Sequence, residues 1–163
     1  MLKKTVLKEL NDQINREFYA AYLYLGMASK CTEMNRVGYA HWLKEQAEEE
    51  IEHAMKIYNY VHDQCETVEL AAVEKPAIKG KTLLDFFKQA YEHEKMVTDY
   101  INKLTDLAIK EKDYATQIFL QWYVTEQIEE ESQTQAIVEA LQFCGDDKTA
   151  IFMLGKYLSK RED

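Results

Sequence analysis

The chain has 163 residues and a mass of 19.2 kDa, with 47 % apolar and 30 % charged residues, a globular balance and not a disordered one. One Pro and five Gly cannot supply the turns that an all-β fold needs every ~10 residues, so a few long helices are expected. A net charge of −9 without a basic cluster argues against nucleic acid or an anionic membrane as partner, and favours cations.

The longest uncharged stretches, residues 18–29 and 114–125, are 12 residues each, short of the ~18 that span a bilayer. Glu9 and Asp12 come too early for a signal-peptide core. Cys31, Cys65 and Cys144 form no Cys-x-x-Cys pair, so packed, reduced thiols in a cytoplasmic protein are expected in place of a disulfide framework or zinc ribbon.

The first helical segment runs over about residues 5–33 and the second over about 36–62. Residues 63–81 carry the single Pro76 together with Gly80 and lack helical periodicity. Thr82 with Asp85 three positions on reads as a capping box that opens a third segment, about 82–110. Asp113 caps a fourth, about 113–143, ended by Gly145, and a short fifth covers about 147–158. The two short connections make antiparallel hairpins. A helix of ~28 residues is ~42 Å long, and an extended linker of ~18 residues reaches ~60 Å. The long linker therefore crosses the whole bundle and sets the second and third segments parallel.

Each long segment has one apolar stripe at alternating spacings of three and four. Each stripe is broken near its midpoint by a carboxylate: Glu17, Glu50, Glu94 and Glu130. Midpoints share one level in such a bundle, so the four should converge in the core. Four buried, uncompensated anions would cost several kcal/mol each, and their formal charge of −4 matches two divalent cations. His53 follows Glu50 by three residues, and Gln127 precedes Glu130 by three, each on the same face. Single carboxylates from two helices and a pair spaced by three from each of the others form the donor set of carboxylate-bridged di-iron bundles. Hard oxygen donors with an imidazole suit iron or manganese.

Several neighbours have plainer readings. Tyr24 lies on the stripe seven residues after Glu17, where packing serves as well as a redox role. His93 sits one position off the stripe, behind the site or at the surface. His41 and His62 fall near helix ends, where surface positions are expected, and Trp122 reads as packing. Glu49, Glu126 and Glu129 flank the core carboxylates, where solvation or a weaker third metal site would suit them.

Residues 11–19, 46–53 and 119–131, the last reading Phe-Leu-Gln-Trp-Tyr-Val-Thr-Glu-Gln-Ile-Glu-Glu-Glu, carry a resemblance to the ferritin family, in its bacterial and archaeal non-haem branch. The resemblance covers essentially all of residues 1–163, as one domain. It implies an all-α, ferritin-like four-helix bundle with one long crossover and a short C-terminal fifth helix. It also implies a ferroxidase site for two irons formed by Glu17, Glu50, His53, Glu94, Gln127 and Glu130. By the same resemblance Tyr24 is the site-adjacent tyrosine, and Glu49, Glu126 and Glu129 hold a third iron. The partners implied are Fe(II), dioxygen or hydrogen peroxide, and further copies of the chain in a hollow cage of 24 that stores ferric oxide. No haem is expected: the fourth segment has no His for a second Glu-x-x-His, and Glu52 stands where haem-binding relatives have a ligating Met. In this reading Glu50 bridges the irons, Glu17 and His53 serve one, and Glu94 and Glu130 the other. The neutral Gln127 favours turnover over permanently held metal. A di-iron oxidase or peroxidase of a small substrate, and a bundle whose core polar residues only fix register, are the rival readings.

Overall fold

The computed structural model describes residues 2–161, and these form helices with no strand among them. The helices are α1 (Lys4–Glu33), α2 (Val37–Asp63), α3 (Leu83–Lys110), α4 (Tyr114–Cys144) and α5 (Lys148–Leu158). Their starts are chemical. Thr82 and Asp85 exchange the reciprocal bonds of a capping box, and Asp113 and Asp147 accept from the first free N–H groups of α4 and α5. The first three helices end on non-glycine residues in the left-handed region: Asn35 (φ 57°), Cys65 (φ 59°) and Lys112 (φ 57°). In each case the next N–H closes back on a carbonyl five residues earlier, as in Arg36 to Cys31 at 2.8 Å and Asp113 to Ala108 at 2.8 Å. Those bonds satisfy orphan carbonyls and offset the local strain. Cys65 is exposed as a result and Cys144 half-buried, so only Cys31 is the packed thiol expected of all three. All three are free.

Side-chain contacts fix the helix directions. On α1 and α3, Arg16 stacks over Tyr100 at 4.1 Å, Tyr24 bonds Glu94, and Thr5 reaches Glu111 at 3.4 Å, an antiparallel pairing. With α1 and α2 forming a tight hairpin, α2 and α3 are parallel. The linker crosses the bundle along α1. Asn15 donates to the carbonyls of Ala71 and Ala72 at 3.3 and 3.1 Å, and Ile78 and Pro76 pack over Gly26. Gln89 then holds the linker's end, accepting from Lys79 N–H at 2.8 Å and donating to the Ala77 carbonyl at 2.7 Å.

The apolar core falls into two clusters. One gathers Tyr24, Met27, Leu43, Phe86, Phe87 and Leu141 toward the α5 end, and the other Leu10, Ile14, Ile57, Ile101, Leu104 and Leu120 toward the opposite end. A polar layer lies between them. α5 closes the first cluster with Leu158, and Tyr39 donates to the Ile151 carbonyl at 2.7 Å. This docking depends on two glycines, because a Cβ on Gly38 would overlap the carbonyl of Gly155. The obstacle is backbone and cannot rotate away. Gly38→Ala should therefore destabilise the protein by ~1–3 kcal/mol, the cost typical of overpacking. A thermal melt should show it as a drop of several degrees, and an unchanged melt would mean that α5 is not docked through this contact.

Candidate metal centre

Glu17, Glu50, Glu94 and Glu130 come from four different helices and are 1 %, 2 %, 1 % and 3 % exposed. Each is buried because its helix buries the stripe on either side of it. Glu17, Glu50 and His53 each offer a donor atom within 4.8 Å of the others. His53, Glu126 and Glu130 do the same, so His53 belongs to both groups. Its Nδ1 stands 3.5 Å from Glu50 Oε2. Its ring is fixed edge-on between Trp122 and Tyr123, with centroids 5.3 and 6.2 Å away, and Tyr123 donates to the His53 carbonyl at 2.7 Å. Trp122 is thus a wall of the site, with Lys56 over its outer face at 4.0 Å.

The remaining buried polar groups orient the carboxylates. Gln13 Nε2 donates to Glu17 Oε1 at 2.8 Å, and Gln46 Nε2 to Glu130 Oε2 at 2.6 Å. Glu94 accepts from the Tyr24 hydroxyl at one oxygen and from Gln127 Nε2 at the other, the latter at 3.3 Å. Gln127 also reaches the Glu94 carbonyl at 3.2 Å. Gln13 and Gln46 were not singled out from the sequence. Their signal is a Gln four residues before a stripe carboxylate, on the same face, in both α1 and α2.

Burial pushes the Glu17 carboxyl well above the usual carboxylate range, and the charge of Glu50 pushes it further. Glu50 is raised in the same way, by burial and then by Glu94 and Glu130. Burial and the Glu94 charge raise Glu130 to about 8. Glu94 is raised by burial against the opposing help of Tyr24 and Gln127. The same carboxylates, added to burial, raise the Tyr24 phenol well above its ordinary value, which keeps it a donor. Four carboxyls that resist ionisation, with Glu17 Oε2 left without any hydrogen-bond partner, form a donor set for a hard cation.

The flanking residues are placed less uniformly. Among the described residues Glu49, Glu126 and Glu129 do not converge as one set. Half-buried Glu126 joins His53 and Glu130, half-buried Glu49 pairs with Arg161, and exposed Glu129 accepts from Gln133 at 2.8 Å. His93 is buried at 7 % exposure, 6.0 Å from the Tyr19 ring, and burial lowers its imidazole to about 4. His41 is only half-buried and lies 3.0 Å from the Arg161 carbonyl, while His62 is exposed.

Residues 7–144 match the profile of the Ferritin family, described as a ferritin-like domain. The chain is 42 % identical to a bacterial non-heme ferritin of Campylobacter jejuni, over 97 % of this chain and 95 % of that protein. It is 40 % identical to the bacterial non-heme ferritin of Staphylococcus aureus, over 99 % of this chain and 97 % of that one. Its fold superposes on an open pore ferritin of the archaeon Archaeoglobus fulgidus with a TM-score of 0.98, at 44 % identity, covering 99 % of this chain and 100 % of that one. A four-helix bundle with one crossover and a short fifth helix, a buried carboxylate and histidine cluster, and likeness along nearly the full length all agree: the chain belongs to the ferritin family.

Proposed function

We propose that this chain is the subunit of an iron-storage ferritin that oxidises Fe(II) to Fe(III) within each subunit and stores the ferric product as oxide in a closed cage of 24 copies in the cytoplasm. The observation that carries this reading is the convergence of Glu17, Glu50 and His53 within 4.8 Å, in a layer that also buries Glu94 and Glu130. Glu17 and His53 hold one ferrous ion, Glu94 and Glu130 the other, and Glu50, which feels the charge of both groups, bridges them. Each ion gives up one electron; dioxygen takes the pair with two protons and becomes hydrogen peroxide, or peroxide itself serves as the oxidant. Anionic oxygen donors stabilise the ferric product more than the ferrous substrate, which favours the electron transfer. Gln127 contributes an uncharged amide where a second carboxylate would hold the product more firmly, and the ferric ions move on. Glu126 and Glu129, with Glu49, offer a third, weaker position on their way out.

Binding the substrate must expel protons from the raised carboxyls, so affinity weakens as pH is lowered and strengthens as it is raised. The same groups shape the stability of the metal-free protein. Glu130 is raised to about 8 in the folded state, against ~4.3 for an unfolded Glu. The folded state therefore binds more protons between these values, and stability declines as pH rises through that window. Glu130→Gln removes the anion while keeping the shape and a hydrogen-bonding end. At neutral pH without metal it should be neutral to stabilising, by ~1 kcal/mol, and the decline above pH 5 should flatten in a melting series. Ferrous oxidation should slow in the same variant. A lower metal-free melting temperature would show that the Glu130 carboxyl has a structural partner that glutamine does not serve.

The decisive experiment is anaerobic ferrous titration followed by oxygen, with iron counted per chain and particle size measured. The reading requires rapid oxidation, many irons per chain and a large closed assembly; about two tightly held irons would indicate a small-substrate oxidase, and none a structural bundle. Glu50→Ala and His53→Ala should each abolish rapid oxidation while leaving assembly intact, as both side chains lie inside one subunit. Rapid oxidation surviving in both variants would refute the assignment.

A further inference from the structure

Just beyond α5, the guanidinium of Arg161 meets three side chains of α2. Its Nη1 donates to Gln46 Oε1 at 2.9 Å, its Nη2 bonds the Glu49 carboxylate, and the group lies over the Trp42 ring at 4.7 Å. The side chain is 15 % exposed, and His41 pins the backbone carbonyl. This is not an ordinary surface ion pair, which contributes little. A planar fork, an aromatic face and a buried amide hold one orientation. Gln46 passes the contact inward by donating to Glu130 Oε2 at 2.6 Å. Outward, Arg161 borders a cleft of about 590 Å³ that Glu49 and Glu129 also line. One positive group thus pairs with the outer carboxylate of Glu49 and stands one amide away from Glu130 of the buried centre.

We propose that Arg161 is a resident cation that competes with metal for Glu49 and so sets the affinity of the third metal position. The proposal rests on the metal-centre reading above. A metal reaching Glu49 competes with Nη2 for the charge of that carboxylate. Competition at Glu49 gives an unusual sign: loss of the residue should tighten a metal site.

The test is calorimetric titration of the assembled, iron-free protein with Zn(II), which binds without oxidation. The parent, Arg161→Gln, Arg161→Lys and the double variant Arg161→Gln/Glu49→Gln are compared. In Arg161→Gln a third Zn(II) per chain should bind at least tenfold tighter, or become detectable, while the first two stay within threefold of the parent. Arg161→Lys keeps the charge and should remain within threefold of the parent throughout. The gain should vanish in the double variant. General structural damage would weaken binding, so its sign is opposite. An unchanged or weaker third ion in Arg161→Gln, a gain that survives without Glu49, or a lysine variant as tight as the glutamine one would each overturn the role of Arg161 while the paired site stands. A parent that binds no Zn(II) in its core would overturn the metal-centre reading and this proposal with it.

Discussion

Four carboxylates buried at one level of a helix bundle are the constraint around which the rest of this structure is arranged. Desolvation alone makes such a layer costly, and mutual repulsion adds to it. The cost is confined by geometry: apolar side chains close the layer on both sides, with Leu10, Ile57, Ile101 and Leu120 on one and Met27, Leu43, Phe87 and Leu141 on the other. Stability is thereby assigned to the two apolar halves and chemistry to the layer between them. The long crossover sets α2 and α3 parallel, and the midpoints of the four helices meet at the layer.

Much of this was legible in the chain because helical periodicity is a local signal. A carboxylate interrupting an apolar stripe at positions 17, 50, 94 and 130 needs no tertiary knowledge to be noticed, and hairpin lengths with one long linker limit how the four can meet. The caps at Thr82 and Asp113 were readable for the same reason. What escaped notice depends on distant partners. Gln46 looks like an ordinary helix residue until Glu130 of α4 is placed against it, 84 positions away. Arg161 lies outside any periodic segment, and its contacts with Glu49 and Gln46 cross 112 and 115 positions. The Cys65 exposure was missed because its left-handed backbone, not its hydrophobicity, decides its place.

The amide and hydroxyl groups of the layer do more than fill hydrogen-bonding capacity. Gln13 takes one oxygen of Glu17 and leaves the other without a partner, and Gln46 takes one oxygen of Glu130. A carboxylate held by one oxygen has its plane fixed and presents the second toward the centre. That is preorganisation by neutral donors, which orient an anion without neutralising it. A lysine in place of either glutamine would satisfy the charge and remove the reason for a cation to enter.

Glu94 departs from that pattern, and the departure orders the site. Both of its oxygens are engaged, by Tyr24 and by Gln127. These two bonds favour its ionised form, so among the four carboxyls it has the strongest support for a negative charge. Its charge in turn raises Glu50 and Glu130. Burial raises Glu94 as it raises the others, but the bonds from Tyr24 and Gln127 oppose that rise. A cation bound in this layer would relieve the repulsion among Glu50, Glu94 and Glu130. Tyr24 and Gln127 are the donors that Glu94 would have to give up in order to bind it. Their neutrality matters here: a charged partner would hold Glu94 too firmly to let it go.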